Sequence, residues 1–279
     1  MAADSGARVA VVGAGRVGAS LAAALTAAGE TCALWTEGQG PAPAAIGRAA
    51  VVILAVPDRV IAAVGAELAA GGLLGAHAVV LHCAGGYAAA EALGGLAGRV
   101  RARGTLHPLR AFAAPVAPAA LAGTAFGIEG DEEARVAARR ICRQIGGRAV
   151  EVEAGRMPLY HAAAVLASNY VVALADAAAA LLARAAPGAD ALAALVPLLE
   201  SAVAGLRERG LPAALTGPLA RGDAETVRRH LDAIARDAPE VLALYRACGL
   251  RAADVAARGG EADAVGLADA RRALAGEEG

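Results

Sequence analysis

The sequence predicts an α/β domain followed by an all-α one, and three features carry that expectation. Arg8 to Val12 is a short apolar run that enters a glycine turn, GAGRVG, at Gly13 to Gly18. An Ala/Leu helix from Ala19 to Ala28 follows, closed by Gly29 and by a second apolar run, Thr31 to Trp35. Apolar runs then alternate with helical stretches to about residue 152, after which nothing reads as strand. Strand, GxGxxG, helix, glycine and strand in that order is the setting in which the motif binds a dinucleotide. We therefore expect an N-terminal Rossmann-type doubly wound sheet over residues 1–153 and a helical domain over 154–279.

The remaining elements follow from patterning. Ala49 to Val56 is a continuous apolar run suited to a strand buried on both faces. It ends in Pro57-Asp58, ahead of a helix from about Arg59 to Ala70. Ala78 to Leu81 and Arg103 to Leu106 read as strands that end at His82 and His107. Thr124 to Gly130 reads as a strand, Asp131 to Ile145 as a helix with Asp131 as N-cap, and Arg148 to Val152 as a last strand. Gln39 to Ala45 is expected to be loop. Helices are then expected at Leu159 to Arg184, Ala189 to Arg209, Ala224 to Ala235, Ala238 to Ala247 and Glu261 to Ala275.

Composition narrows the function classes. Hydrophobic residues make up 57% of the chain, mostly alanine, with aromatics at 3%. The longest apolar stretch, Ala162 to Leu182, contains Ser168, Asn169 and Asp176, which a membrane span would bury at a cost. It reads as a buried helix of a soluble protein, and no membrane partner is expected. The N-terminal stretch has no basic segment leading to a cleavage site, so no export signal is expected. A formal net charge of −1 gives no footprint for nucleic acid. Cys32, Cys83, Cys142 and Cys248 are far apart and form no CxxC pair, which points away from a zinc site and towards a reducing cytoplasm. Lysine is absent, so all 26 basic residues are arginine and no mechanism can use a catalytic lysine.

The chemistry-bearing residues lie where α/β sheets bind ligands, at the carboxyl ends of strands. Gly13 permits the tight turn, Gly15 lets a pyrophosphate approach the backbone, and Gly18 brings the helix close. Ala14, Arg16 and Val17 complete that cofactor turn at a helix N-terminus. Thr36 falls where the cofactor's 2′ position is read. A threonine there suits a 2′-phosphate better than an acid would, which favours NADP; Glu37 beside it keeps NAD possible. Val56, Pro57 and Asp58 are expected next to the nicotinamide, with His107 on the adjoining edge as a candidate catalytic residue and His82 as a substrate contact. His77 and His230 read as structural.

The first helix after the strands carries LYHAAAVLASNY, Leu159 to Tyr170, which holds the chain's only asparagine, Asn169. At about 100° per residue, His161, Val165 and Ser168 share one face with Asn169 at its edge. His161 is the candidate proton donor, because an imidazole exchanges its proton near neutral pH. Ser168 and Asn169 are candidate substrate orienters. Arg221, in LTGPLARGD ahead of the N-cap Asp223, is a candidate carboxylate clamp.

GAGRVG, VPD, HCAGG, HPLRAF, LYHAAAVLASNY and ALTGPLARGD in this order resemble a bacterial family of Rossmann-like proteins with a C-terminal helical domain of unknown function. Members often carry the label of an NADP oxidoreductase dependent on a deazaflavin coenzyme. In architecture the family is similar to the 6-phosphogluconate, hydroxyisobutyrate, ketopantoate and pyrroline-carboxylate reductases. Several of those use a lysine and a downstream asparagine, where this chain has His161 with Asn169 eight residues on. The family's usual HxSG has Ala84 in place of the serine here. The expected function is NAD(P)-dependent hydride transfer to or from a small carboxylate-bearing keto, hydroxy or imino compound. The alternative is an NADP-binding sensor or scaffold without turnover. Apolar surface on the Ala/Leu helices suggests a homodimer through the helical domain.

Overall fold

The computed structural model describes residues 8–40 and 43–277. The N-terminal stretch before Arg8, and two residues of the expected 39–45 loop, lie outside them. Seven strands form one sheet: β1 (Val9–Val12), β2 (Cys32–Trp35), β3 (Val51–Leu54), β4 (Val79–His82), β5 (Ala102–Pro108), β6 (Ala125–Gly130) and β7 (Arg148–Glu151). Their order is β2-β1-β3-β4-β5-β6-β7. Every neighbouring pair is parallel except β5 and β6.

β1 and β3 are apolar and buried at every position because both faces of the sheet are covered there. On β1, Val9 and Val11 join one core with Leu21 and Leu25 of α1 (Arg16–Ala27) and Ile141 of α5 (Glu132–Gln144). Ala10 and Val12 join the other with Ile46 of α2 (Ala44–Arg48) and Leu68 of α3 (Ile61–Ala70), and Leu93 packs there just beyond α4 (Ala89–Ala92). This is a Rossmann-like doubly wound sheet.

Contacts divide the chain into two compact units, Met1–Asn169 and Tyr170–Gly279. The first includes α6 (Met157–Ala167), which packs on the sheet through Tyr160 although it lies beyond the last strand. Within the second, α10 (Ala224–Asp237), α11 (Pro239–Gly259) and α12 (Ala264–Ala275) bury Val227, Leu231 and Leu274 among them, with α9 (Pro218–Arg221) alongside. Asp223 caps α10 as expected, accepting from the Thr226 N–H at 3.0 Å. α7 (Asn169–Ala185) contributes Ala177 and Leu181 to a contact with Ile234 and Val241, and α8 (Ala191–Arg209) is capped by Asp190.

Four expectations are corrected. The helix expected over 159–184 is broken at Ser168, whose φ of −127° and ψ of −74° leave helical space. His107 does not follow its strand but sits within it, because antiparallel pairing with β6 extends β5 through Pro108. Asp131 occupies the N-cap position of α5, yet its carboxylate accepts from the Arg103 N–H instead of capping. The Ala162–Leu182 run is largely exposed rather than buried, with Leu166 at 62% and Val172 at 71%. By length and composition alone, the Met157–Ala185 stretch would also suffice to cross a membrane.

Candidate functional site

The glycine turn is built by backbone contacts. Gly13 has a φ of +106°, and a Cβ there would lie 2.4 Å from the Ala55 carbonyl oxygen. A Cβ on Gly18 would lie 1.9 Å from the Gly13 carbonyl oxygen and 3.1 Å from Ala55 Cβ, so the glycine lets the helix lie against the turn and the end of β3. Gly15, the N-cap of α1, has nothing within 4 Å of where its Cβ would stand. α1 begins with no side-chain cap and no carboxylate in its first turn, which leaves its N–H dipoles facing outward. Ala14 and Arg16 are exposed beside Gly15, whereas Val17 packs onto the core beneath. These features fit a dinucleotide phosphate: two glycines close the turn, and the third leaves the approach open.

A cavity of about 360 Å³ adjoins this turn, lined by Gly13, Trp35, Thr36, Glu37, Val56, Pro57 and Glu67 among others. Thr36 caps the short turn at 37–39 through a reciprocal pair of bonds with Gln39. Asp58 is exposed and outside this lining.

The second site in the same unit is made of side chains. β5 and β6 pair so that His107 stands opposite Gly127. Tyr160 on α6 enters the gap that Gly127 leaves, where a Cβ would come within 2.3 Å of the tyrosine Cζ. The Gly127 N–H donates to the Tyr160 hydroxyl at 3.0 Å. That hydroxyl lies 3.0 Å from His107 Nδ1 and donates to the His107 carbonyl at 3.2 Å. His161, the next residue, meets the His107 ring edge-on with centroids 5.8 Å apart. Gly85 permits this approach, since a Cβ there would be 2.7 Å from His161 Cδ2 and 2.8 Å from His107 Nε2. Gly86 lies against His161 in the same way.

The cavity beside these rings is about 690 Å³ and runs along His107 to Phe112 and along α6 to Ser168 and Asn169. The break at Ser168 leaves His161, Val165, Ser168 and Asn169 all on this one wall. Arg110 is its only formally charged side chain; the guanidinium donates to the Ala120 carbonyl and makes no ion pair among the described residues. Among the described residues no carboxylate lines the cavity. Burial, and then the neighbouring His161, lower the His107 pKa to about 4. Burial also pushes the Tyr160 phenol up to about 12.

His82 is fully buried and outside this lining. Its Nδ1 accepts from the Ala84 N–H at 3.2 Å and its Nε2 contacts Thr105 Oγ1 at 3.0 Å, which fixes the start of the Gly85-Gly86 turn. Burial first, and then His107, lower its pKa to about 4. Arg221 belongs to the second unit, where its side chain is 66% exposed and 4.0 Å from Asp223.

Sequence reasoning missed Tyr160, Gly85, Gly127 and Arg110 as site residues. A glycine in the middle of the strand TAFGIEG was the available signal, since such a glycine often marks the close approach of another group.

Residues 124–252 match a family described as a domain of unknown function, DUF2520. A comparison with curated proteins gives no match. Among solved structures, a Thermotoga maritima protein aligns with a TM-score of 0.70 at 22% identity, covering 90% of this chain and 99% of its own. A Bacteroides fragilis protein named as a candidate NADP oxidoreductase gives 0.61 at 22% identity, over 86% of this chain and 95% of its own. A reductive aminase from Aspergillus terreus, in complex with NADPH and ethyl levulinate, gives 0.57 at 21% identity, over 94% and 98%. The shared fold is a Rossmann-like domain with a C-terminal helical region.

Proposed function

We propose that this chain is an NADP-dependent oxidoreductase, with NAD as the alternative dinucleotide, acting on a small carboxylate-bearing keto, hydroxy or imino compound. One observation carries the reading: a glycine turn fitted to a dinucleotide and a histidine-tyrosine cavity stand at the carboxyl ends of strands of the same sheet. That edge of an α/β sheet is where ligands bind. The relatives named for NADP chemistry share the fold.

Gly13 to Gly18 would hold the pyrophosphate, Thr36 the 2′ end and Val56-Pro57 the nicotinamide side. The bound nicotinamide would supply or take up hydride. The chain's own residues then have separable tasks. His161 holds the proton that the substrate oxygen or nitrogen gains on reduction, and recovers it on oxidation. Ser168 and Asn169 orient the substrate by hydrogen bonds. His107, uncharged at neutral pH, serves as a hydrogen-bonding group and not as an acid. A cavity with one arginine and no carboxylate favours an anionic substrate, with Arg110 on the cavity and Arg221 in the second unit as the two candidate clamps.

His161→Ala and Asn169→Ala should each reduce turnover on a substrate found by screening keto and imino acids with NADPH. Wild-type turnover in both variants would end this assignment. Arg110→Ala and Arg221→Ala separate the clamps, because the true one raises KM for carboxylate substrates and spares their neutral esters.

The exposed apolar side chains of α7 and α8, Val172 and Leu198 among them, would pair with a second copy of the chain in a soluble, cytoplasmic homodimer. Light scattering should give twice the chain mass, and a monomer would refute the dimer.

A further inference from the structure

We infer that Tyr160 is a positioning residue that locks His107 as its Nδ1–H tautomer, which leaves Nε2 as a hydrogen-bond acceptor beside Gly85 and His161. A tyrosine hydroxyl has one proton to give and two lone pairs to receive. Three groups surround this one: the Gly127 N–H at 3.0 Å, the His107 carbonyl at 3.2 Å and His107 Nδ1 at 3.0 Å. The N–H can only donate and the carbonyl can only accept. If the hydroxyl proton goes to the carbonyl, one lone pair takes the Gly127 N–H and the other remains for Nδ1, which must then carry a proton. All three contacts are hydrogen bonds in that arrangement.

The opposite tautomer sends the hydroxyl proton to Nδ1. The hydroxyl and carbonyl oxygens then face each other at 3.2 Å with no proton between them. The geometry therefore selects Nδ1–H. Burial keeps the ring uncharged, so the assignment holds at neutral pH.

This bears on the substrate class, and that part rests on reading the cavity as the substrate site. A bare Nε2 next to His161 recognises a hydrogen donor. The favoured ligands are then a hydroxyl, an amine or a protonated imine next to the reacting carbon, in preference to a group that only accepts. Within this arrangement Tyr160 acts through His107 and need not touch the substrate.

The test is the nitrogen-15 NMR spectrum of the histidine rings in the full chain at pH 7, without cofactor or substrate, with His107 identified by loss of its signals in His107→Gln. Wild type should show a pyrrole-type Nδ1 and a pyridine-type Nε2 for His107. Tyr160→Phe keeps the ring in the Gly127 slot and removes the hydroxyl, and the His107 proton should move wholly or partly to Nε2. A pyridine-type Nδ1 in wild type would overturn the inference, as would an unchanged spectrum in folded Tyr160→Phe. If that variant does not fold, the wild-type spectrum alone decides. The spectrum is read with no turnover, so its failure leaves the oxidoreductase reading standing, and failure of hydride transfer leaves the tautomer standing.

Discussion

The glycine turn and the histidine cavity occupy the same edge of the same sheet but are made differently. The turn is backbone against backbone: a Cβ on Gly18 would sit 1.9 Å from a carbonyl oxygen that cannot move without the strand. The cavity is backbone against side chain: Gly85 and Gly127 make room for the rings of His107, Tyr160 and His161, which can swing. The first region tolerates no added atom at its closing glycines, and the second should yield by rotating a ring.

The largest expected effect follows from that contrast. Gly18→Ala should lose on the order of 3 kcal/mol or more of stability in urea unfolding, because overpacking against fixed backbone has no relief. Gly127→Ala should lose about 1–2 kcal/mol, since Tyr160 can withdraw. Equal losses would erase the distinction between the two regions.

Acid should strike the cavity region next. His82 and His107 are held neutral in the fold with pKa values near 4, against an ordinary value of 6.5. The unfolded chain therefore binds more protons between those values. Stability contributed by the neutral rings is complete above about pH 6.5 and is lost as pH falls towards 4. For fully buried His82 the shift corresponds to about 3 kcal/mol at most. Urea midpoints measured from pH 7 to 4.5 should fall steadily, and a flat profile would contradict the buried neutral histidines.

The smallest effect on stability should come from Gly15→Ala. Its Cβ meets nothing within 4 Å, so unfolding should change by no more than about 0.5 kcal/mol. NADPH affinity should nevertheless drop at least tenfold, as followed by nicotinamide fluorescence. A variant that binds NADPH normally would remove the cofactor from this turn.

The two regions also differ in how legible they were. Gly13, Gly15 and Gly18 lie within six residues, and their constraints are local, so a motif with its flanking strand and helix suffices. β1 and β3 were readable in the same local way, since burial on both faces writes unbroken apolar runs. The cavity joins Gly85, His107, Gly127 and Tyr160, which are far apart in sequence, through an antiparallel pairing of β5 with β6 that periodicity does not reveal. His161, Ser168 and Asn169 were visible as a polar strip, but the break at Ser168 was not, because Ala and Leu on both sides favour an unbroken helix. The exposure of the Ala162–Leu182 run was misread for another reason: apolar composition alone does not say whether the chain itself covers a helix.

The central claim is that the turn and the cavity serve one hydride-transfer site. Its most direct test is to incubate the protein with NADPH deuterated at the nicotinamide C4 and a panel of keto acids and imino acids, and to read the products by mass spectrometry. Wild-type protein should place deuterium in at least one product, and His161→Ala should abolish that transfer. Tight NADPH binding with no deuterium in any product would contradict the claim and leave a dinucleotide-binding protein without turnover.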